Sequence, residues 1–397
     1  MTPKGGTKGG VVLHVAPSLD NAMGGSVHAA LQVCKMLIDG GQEVEVAATV
    51  GPQDQLDYLT SSFPDVPYRL FRRRFPHHNF NSFELRRWLA ANVGRYALAD
   101  IHGVNSFAAV YATGACRRAG VPHVVRPHGS LDPFDLGKHR LLKAGYGPVV
   151  LRRMLDGAAA VVLTSALEAE RMRTFGARPR IAVMPLPVHP PPTGGDGPSF
   201  RRRHGIPQDA RVVLFLGRLD HKKGLQFLIP GLAALKASFD DLWFVLAGSG
   251  EAAQERTVTA LLEANGVGEW TTRCGFLAGE DKQSALAASD VFALPSLFEN
   301  FGIVVVEAMG AGLALLLSEE VYIHDVIVDG GAAEHCRPST ASCRDGLRRL
   351  LADRARMAAM GARAREVAES RFSIEAAREP LVRLYADVVA GHERMQG

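Results

Sequence analysis

A strand, a glycine-containing loop and a helix follow one another near the start of each half of this chain. In the first half, the apolar run 10–16 leads through Gly24 and Gly25 into a helical stretch at 27–37. In the second half, the apolar run 211–216 is again followed by a glycine-containing loop and a helix. Repetition of this unit predicts an α/β protein made of doubly wound, Rossmann-like parallel sheets.

Proline and glycine are concentrated between positions 185 and 198, near the middle of the chain. Because such a stretch interrupts helices and strands, we expect it to contain a linker at 189–199. A chain of 397 residues is also too long for one ordinary hydrophobic core. We therefore expect a flexible leader at 1–10, domains at 11–188 and 200–373, and a separate C-terminal segment at 374–397.

Apolar periodicity predicts further helices along the chain. They span 107–119, 141–155, 347–367 and 374–390. Tyr385 lies on the apolar face of the last one. Ser165 and Glu168 have the spacing of a capping box at the start of another helix.

The cysteines and the apolar runs indicate where the protein works. Five cysteines are scattered without a Cys-x-x-Cys pair, which favours a reducing compartment and gives no zinc-binding spacing. No apolar run approaches the length of a membrane-spanning helix, and 1–10 lacks the apolar core of a secretion signal. We therefore expect a cytoplasmic protein.

Positive charge is concentrated in the first half of the sequence. Residues 1–190 contain 22 Lys and Arg against 14 Asp and Glu, whereas 191–397 contain 23 against 27. This asymmetry suggests an anionic partner for the first half, such as a lipid-linked acceptor or the cytoplasmic membrane surface. Nucleic acid is the rival interpretation, but no nucleic-acid-binding motif supports it.

The basic run Arg72-Arg73-Arg74 lies among aromatic residues. Arginine beside aromatic anchors suits contact with an acceptor or with a membrane surface. A solvated loop is the alternative, and the sequence leaves both interpretations open.

The acidic residues Glu299 and Glu307 lie on either side of the start of an apolar run that follows a buried strand. The free N–H groups at the start of the predicted helix favour an anion. Solvated surface is the alternative for two glutamates, but Glu307 lies among apolar residues, where an unpaired carboxylate is costly. The pattern therefore predicts a working pair at a nucleotide site.

Two other loops have residues suited to a diphosphate. Arg218 and Lys223 lie in a strand-to-helix turn, where cations and helix N–H groups bind phosphate. Gly24 and Gly25 would let the backbone approach a phosphate at another helix start, although a plain tight turn explains them equally well.

Two histidines, His102 and His128, come just after predicted strands. Ligand sites of α/β proteins gather at such strand ends. Of the two, His128 is the better candidate, because Pro127 and Gly129 constrain the backbone around it and would expose its ring.

Motifs in the second half occur in a recognisable order. They are Gly-Arg-Leu-x-x-Lys-Lys-Gly from Gly217, Gly-Ser-Gly from Gly248, and Glu-x7-Glu from Glu299 with Asn-Phe-Gly after it. The ordered set resembles the retaining glycosyltransferase family 4. The segment Arg-Pro-His-Gly-Ser-Leu-Asp-Pro from Arg126 and the pair Thr164-Ser165 are similar to its bacterial polysaccharide branch, the group 1 glycosyltransferases.

The resemblance extends from about residue 11 to residue 385 and implies a GT-B fold. In that fold two Rossmann-like domains face each other across a cleft. The domain at 11–188 would bind the acceptor, and that at 200–373 the nucleotide-sugar. The C-terminal helix in 374–397 would pack back on the first domain.

The resemblance also implies a role for each matched residue. Arg218 and Lys223 would hold the diphosphate, and His128 would lie near the anomeric carbon. Across the cleft from the two cations, Glu299 would accept hydrogen bonds from the donor sugar. Residues implied in donor binding besides these are Gly24, Gly25, Leu277, Lys282, Asn300, Phe301, Gly302, Ile303 and the ribose-binding Glu307.

The implied activity is transfer of a hexosyl group from a UDP- or GDP-sugar to a glycan or lipid-linked acceptor. No Asp-x-Asp motif lies in a metal-binding context, which agrees with a metal-independent reaction without a bound cofactor. Front-face attack with retention is the expectation from the family.

Two segments depart from the family pattern. Pro-Leu-Pro-Val-His at 185–189 replaces Pro-Asn-Gly-Val-Asp, and Leu-Ala-Leu at 313–315 replaces Pro-Val after Gly312. Neither departure removes a residue that matches a donor-binding position.

Three other functions are weaker candidates. A non-catalytic nucleotide-sugar-binding subunit would not need the complete set of basic and acidic residues. A pyridoxal phosphate-dependent phosphorylase would need a Schiff-base lysine in a suitable position, and none is evident. A dinucleotide dehydrogenase would need Gly-x-Gly-x-x-Gly after a strand, with an acidic residue at the right distance, and neither half has it.

Overall fold

The computed structural model describes residues 10–74, 79–131, 147–173, 176–188 and 195–396. The chain divides into two compact units. One consists of Met1–Pro187 together with Ile374–Gly397, and the other of Val188–Ser373. The predicted leader up to residue 9, the part of the predicted helix at 141–146 and the linker positions 189–194 lie outside the described residues.

The first unit is built on a seven-stranded sheet. Its strands are β1 Val12–Ser18, β2 Val44–Val50, β3 Tyr68–Arg72, β4 Leu98–His102, β5 His123–Arg126, β6 Ala160–Leu163 and β7 Ile181–Val183. Its α-helices include α1 Gly25–Asp39, α2 Tyr58–Ser62, α3 Phe83–Asn92, α4 Phe107–Ala119, α5 Arg152–Asp156 and α6 Ala166–Arg173.

The second unit is built on a six-stranded sheet. Its strands are β8 Arg211–Leu216, β9 Leu242–Ala247, β10 Thr271–Gly275, β11 Val291–Leu294, β12 Ala314–Ser318 and β13 Ala333–Cys336. Its helices are α7 Gly197–Arg203, α8 Leu225–Ala233, α9 Ala252–Ala264, α10 Gly279–Ala287, α11 Ile303–Ala311, α12 His324–Asp329, α13 Thr340–Leu351 and α14 Arg354–Phe372. The chain then returns to the first unit as α15, Ile374–Gln396.

The strands of both sheets pair in parallel throughout. The orders are β3-β2-β1-β4-β5-β6-β7 and β10-β9-β8-β11-β12-β13. In each sheet the order reverses at one place, between β1 and β4 and between β8 and β11. Ligands of open α/β sheets bind outside the carboxyl ends of the strands at this position. The prediction of two doubly wound, Rossmann-like sheets is confirmed.

Both faces of the first sheet are covered, which is why its strands read as nearly continuous apolar runs. Side chains on β1 alternate between two hydrophobic clusters: Leu13 and Val15 belong to one, and Val12 and Ala16 to the other. The second cluster also contains residues of α1 and α15, so these helices cover the face on which Val12 lies.

Two sequence expectations about helices were wrong. The predicted helix at 347–367 is two helices, because Asp353 has an extended backbone and caps the start of α14 by accepting hydrogen bonds from the amides of Ala355 and Arg356. At the end of the predicted linker, Gly197 and Pro198 begin α7. Proline is well suited to the first turn of a helix, where its missing N–H is not needed.

The C-terminal helix α15 is anchored by a buried polar contact. The hydroxyl of Tyr385 donates to Oδ2 of Asp100 at 2.5 Å, and Nε of Arg126 donates to the same oxygen at 2.7 Å. Burial raises the pKa of the Asp100 carboxyl, but the neighbouring Arg126 outweighs this effect and holds that pKa below its ordinary value. Because the acceptor is charged and fully buried, this contact is sensitive to loss of either donor. Among the described residues, no helix is both long and apolar enough to cross a membrane.

We expect Tyr385→Phe to destabilise the first unit by about 2 kcal/mol, since it removes a buried hydrogen bond to a charged acceptor. Tyr68→Phe is the matched control, because that hydroxyl donates to the neutral carbonyl of Phe63 at 2.9 Å. We expect a smaller loss there, about 1 kcal/mol. Urea unfolding of both variants measures the difference, and an equal loss in the two would contradict a special role for Asp100.

Candidate active site

Two loops at the carboxyl edge of the second sheet are held against each other. One follows β8 and the other follows β11, the two strands at which the order reverses. The amide of Leu297 donates to the carbonyl of Lys222 at 2.7 Å. A Cβ on Gly224 would lie 1.9 Å from the carbonyl oxygen of Pro295, and Gly224 has φ +77°. Only glycine therefore allows the close approach that brings the two loops together.

The side chains of Lys223 and Glu299 form an ion pair across these loops. Both are largely buried, with side-chain exposures of 17% and 16%. Glu299 is also held by its backbone: its amide donates to Glu320 and its carbonyl accepts from Tyr322, each at 2.9 Å. The pair thus presents one cation and one carboxylate in a preformed arrangement.

Glu307 has a different basic partner. It lies in the second turn of α11, and its Oε1 accepts from Nζ of Lys282, on α10, at 2.7 Å. Each of the two glutamates is therefore compensated by its own lysine. The expectation that Arg218 and Lys223 lie across a cleft from Glu299 needs correction, because these residues all lie in the second unit.

Helix α11 begins between the two glutamates. Gly302 precedes its first residue with φ +73°, and no side chain caps this end. The ring of Phe301 is buried and packs edge-on against Phe372, so the backbone amide of Phe301 rather than its ring suits ligand contact. Asn300 and Ile303 flank these two residues and are both partly buried. The first N–H groups of a helix lack intrahelical partners and attract anions.

Arg218, the other predicted phosphate ligand, is exposed just beyond β8 and forms no ion pair with the described residues. Leu277 is partly buried just after β10, which ends at Gly275. Its neighbour Phe276 is 71% exposed, an unusual position for an aromatic ring. Sequence reasoning passed over Phe276, although its place beside Leu277 at a strand end was the available signal.

In the first unit, the Gly24–Gly25 pair lies at the start of α1. Gly24 has φ +72°, and a Cβ at this position would have no neighbour within 4 Å. The open space beside the backbone and the absence of a side-chain cap leave room for a ligand at the helix start.

His128 has a strained and well-supported backbone. Its φ of +53° is rare for a residue other than glycine. The next amide, of Gly129, donates to the buried carboxylate of Glu168 at 2.9 Å. The expectation that the ring of His128 is exposed was only partly right, since the residue is half-buried.

The ring of His128 is one end of a row of three imidazoles. Nε2 of His128 lies 3.0 Å from Nδ1 of His102, and Nε2 of His102 lies 2.9 Å from Nδ1 of His14. Burial lowers the pKa of His14 and of His128 to about 4 and lowers that of His102 as well. All three rings are therefore neutral at physiological pH.

Comparison with known proteins decides the family. The model described as "Glycosyl transferases group 1" matches 196–367, and the model described as "Glycosyltransferase Family 4" matches 23–190. The phosphatidyl-myo-inositol mannosyltransferase of Mycolicibacterium smegmatis is 30% identical over 332 residues, covering 80% of this chain and 78% of that protein. The chain belongs to glycosyltransferase family 4. The predicted glycosyltransferase activity is confirmed at this level.

Other relatives of this glycosyltransferase agree. The alpha-D-kanosaminyltransferase of Streptomyces kanamyceticus is 28% identical over 320 residues, covering 78% of this chain and 80% of that one. The crystal structure of Anabaena Alr3699/HepE in complex with UDP and glucose superposes with a TM-score of 0.79 at 19% identity, covering 96% of this chain and all of that one. This likeness concerns the fold and agrees with the predicted GT-B class.

Sequence reasoning missed several residues that shape the first unit of the glycosyltransferase. His14 gave a signal, because it interrupts an apolar strand. Glu168 was interpreted as part of a capping box, and Ser165 does accept from the Glu168 amide at 3.1 Å. The Glu168 carboxylate, however, binds Thr164 and Gly129 instead of the Ser165 amide.

The basic run 72–74 does not act as one exposed patch. Arg72 ends β3, and Arg73 turns inward, with Nη2 at 2.5 Å from Oδ2 of Asp54. Arg72 and Arg74 are exposed and Arg73 is not, so the run presents two exposed guanidinium groups rather than three.

We expect Gly224→Ala in this glycosyltransferase to destabilise the second unit and to displace Lys223 from Glu299. The added methyl would meet the Pro295 carbonyl at 1.9 Å in a left-handed backbone. Gly266→Ala is the matched control, because Gly266 has φ +61° and no neighbour within 4 Å of a Cβ. Backbone strain alone, about 1–2 kcal/mol, is expected there. Equal shifts in unfolding temperature would contradict the clash.

We expect the stability of the first unit to fall as the pH is lowered from about 6.5 to about 4. An unfolded histidine binds a proton below its ordinary pKa of 6.5, whereas buried His14 stays neutral until pH about 4. Proton binding by His14 in the unfolded state lowers the free energy of unfolding by at most about 3 kcal/mol over this range. Unfolding midpoints measured across this range should depend less on pH in His14→Phe. The exposed-site control His221→Phe should retain the wild-type slope, and an unchanged slope in His14→Phe would contradict the assignment.

Proposed function

We propose that this chain is a retaining, metal-independent hexosyltransferase. It would move a sugar from a UDP- or GDP-sugar to a glycan or lipid-linked acceptor in cell-surface polysaccharide biosynthesis. The observation that carries the proposal is the Lys223–Glu299 ion pair, preformed beside the start of α11. This arrangement combines a cation for phosphate, an acceptor for sugar hydroxyls and helix N–H groups for an anion.

The chemistry would follow from charge on the leaving group. The bond between the anomeric carbon and the phosphate oxygen breaks with its electron pair on that oxygen, and the acceptor hydroxyl attacks the same face of the sugar. The acceptor proton ends on the leaving nucleoside diphosphate. Lys223, Arg218 and the first amides of α11 would stabilise the added negative charge without reorganisation.

The ion pair with Glu299 has a consequence for Lys223. Its ammonium is held in place before a donor arrives, so less side-chain entropy is lost on binding. In the complex, the ammonium would be shared between the diphosphate and Glu299. Glu299 would then serve both as a hydroxyl acceptor and as the residue that orients the cation.

The Lys282–Glu307 pair supports a second contact region, for the nucleoside. A carboxylate that accepts from one lysine has lone pairs left for the two ribose hydroxyls. Leu277 and the exposed Phe276 lie on the loop after β10, where an apolar face suits a base. The complexes of the Anabaena protein with UDP and with glucose make UDP-sugars the first donors to test.

The acceptor is proposed from charge and from the relatives. The excess of basic residues in 1–190 suits an anionic acceptor, such as a lipid-linked phosphate, at the cytoplasmic membrane surface. The Mycolicibacterium relative is named for transfer to phosphatidyl-myo-inositol, a lipid acceptor of this kind.

A donor screen is the first experiment. We expect one nucleotide-sugar among UDP- and GDP-linked hexoses to raise the unfolding temperature, since a ligand present at 100 times its Kd stabilises a protein by about 2.7 kcal/mol. The free nucleoside diphosphate should give a smaller shift. If neither series stabilises the protein, the proposed donor class is wrong.

Substitutions at the ion pair then test the mechanism. We expect Lys223→Ala and Glu299→Gln to lower the transfer rate by at least about 100-fold while the far-ultraviolet spectrum is retained, because each removes a charge on which the transition state depends. Lys35→Ala is the control, as Lys35 is a partly exposed residue of α1 whose ion pair within the described part of the chain is with Asp39. Full activity in both site variants would contradict the proposal.

Two further measurements test the finer description. The product should keep the anomeric configuration of the donor by NMR, and the rate should persist in EDTA. Inversion of configuration, or loss of activity with recovery on adding a divalent cation, would contradict retention or metal independence.

A non-catalytic nucleotide-sugar-binding subunit remains the alternative function. Such a protein would be stabilised by the donor but would neither transfer the sugar nor hydrolyse the donor. The Lys223–Glu299 pair favours the enzyme, since binding alone does not require a cation placed for a leaving group.

A further inference from the structure

The row of imidazoles His14, His102 and His128 has a geometry that the proposed transfer does not yet use. The ring centroids are 5.2 Å and 5.3 Å apart along the row. Each link joins Nδ1 of one ring to Nε2 of the next. His14 and His102 are fully buried in β1 and β4, whereas His128 is half-buried beyond β5. Only the last ring is therefore placed to meet a ligand.

Neutral imidazoles can order such a row in only two ways. Each ring carries one N–H, so both hydrogen bonds must point the same way along the row. In the first order, His14 donates to His102 and His102 donates to His128. In the second order, both bonds are reversed and His128 is the first donor.

The buried end of the row distinguishes the two orders. Nε2 of His14 is buried and has no hydrogen-bond partner within the described part of the chain. In the first order this nitrogen carries no hydrogen and is an acceptor without a donor. In the second order it carries a hydrogen and is a donor without an acceptor. Buried N–H groups without an acceptor are rarer in native proteins than buried acceptors without a donor, so the first order is preferred.

The carboxylate of Asp100 acts in the opposite direction, but more weakly. Its Oδ1 lies 3.8 Å from Nε2 of His102 and would favour a hydrogen there. Oδ1 has no hydrogen-bond partner among the described residues, but 3.8 Å is too long for a hydrogen bond to His102. The other oxygen, Oδ2, accepts from Arg126 at 2.7 Å and from the Tyr385 hydroxyl. The field that remains is that of a paired dipole, which falls off faster with distance than that of a free charge.

We propose that His14 and His102 are positioning residues that fix the tautomer of His128. Nε2 of His128 accepts from His102, and Nδ1 carries the hydrogen. This inference rests on the proposed function for its consequence: His128 meets the substrate as a hydrogen-bond donor. It stabilises an oxygen of the donor sugar or phosphate and is not the base that removes the acceptor proton.

Two backbone features support a fixed ring. The left-handed conformation of His128 persists only where surrounding contacts hold it, and the Gly129 amide is tied to the buried Glu168 carboxylate. The ring is thus constrained from its backbone and from its Nε2 atom at once, which leaves Nδ1 as the nitrogen available to a ligand.

The tautomer is measured directly in the wild-type protein. Histidine labelled with ¹⁵N in the ring, observed by long-range ¹H–¹⁵N correlation at neutral pH, should show His128 with a protonated Nδ1 and a bare Nε2. His128→Gln identifies its signals. A protonated Nε2 on His128 would overturn the proposal, as would shifts typical of metal-bound nitrogen on His14 and His102.

Two variants of equal size at His102 test the link to activity. His102→Asn keeps an N–H donor near the position of Nδ1, and His102→Leu removes it. We expect Asn to retain the His128 tautomer and most of kcat. In His102→Leu, we expect His128 to be no longer held in one tautomer. We expect kcat to fall about tenfold or more, with a smaller change in the KM for the donor.

His123→Asn controls for loss of a buried histidine outside the row, and it should leave the His128 signals and kcat unchanged. The positioning role fails if His102→Leu and His102→Asn show the same His128 tautomer and the same kcat. Should His102→Leu not fold, the wild-type spectrum still decides the order. Because the spectrum needs no substrate, absence of transfer in the wild type would contradict the proposed function without affecting the tautomer assignment.

Discussion

Parallel pairing of every strand in both sheets is the constraint on which the rest of this structure depends. Parallel strands send all their carboxyl ends to one edge, so loops that are distant in sequence meet there. In the second unit this edge brings the loops after β8 and β11 together, with Gly224 as the residue that permits the contact. The same rule places Gly24, His102 and His128 at one edge of the first sheet.

Near the carboxyl edge of the second sheet, two lysines are each paired with a glutamate. Lys223 with Glu299 and Lys282 with Glu307 form two separate pairs, spaced along α11 and the loop before it. In the first unit the polar groups are buried instead, and Asp100, Arg126 and Tyr385 link β4 and β5 to the C-terminal helix. Both arrangements hold their side chains in place through charge-assisted hydrogen bonds.

Much of the fold was predictable because buried parallel strands and amphipathic helices leave strong local patterns. The helix at Phe107–Ala119 and the strand at Arg211–Leu216 were predicted with the observed bounds. Weaker patterns failed. The short strand Tyr68–Arg72 was not predicted, because three of its five residues are exposed and it lies at the edge of the sheet. Asp353 was overlooked as a cap because the pattern rich in alanine, arginine and leucine continues on both sides of it, although aspartate is a preferred N-cap residue.

The sequence by itself determined the family, the two α/β sheets and the set of residues at their edges, since these depend on local pattern and on motif order. Only the tertiary structure decided which residues meet. It paired each glutamate with its own lysine, turned Arg73 inward to Asp54, and joined His14, His102 and His128 into one row. These contacts join residues up to 88 positions apart. Strand order and register bring these residues together, and neither can be predicted from any single segment of the sequence.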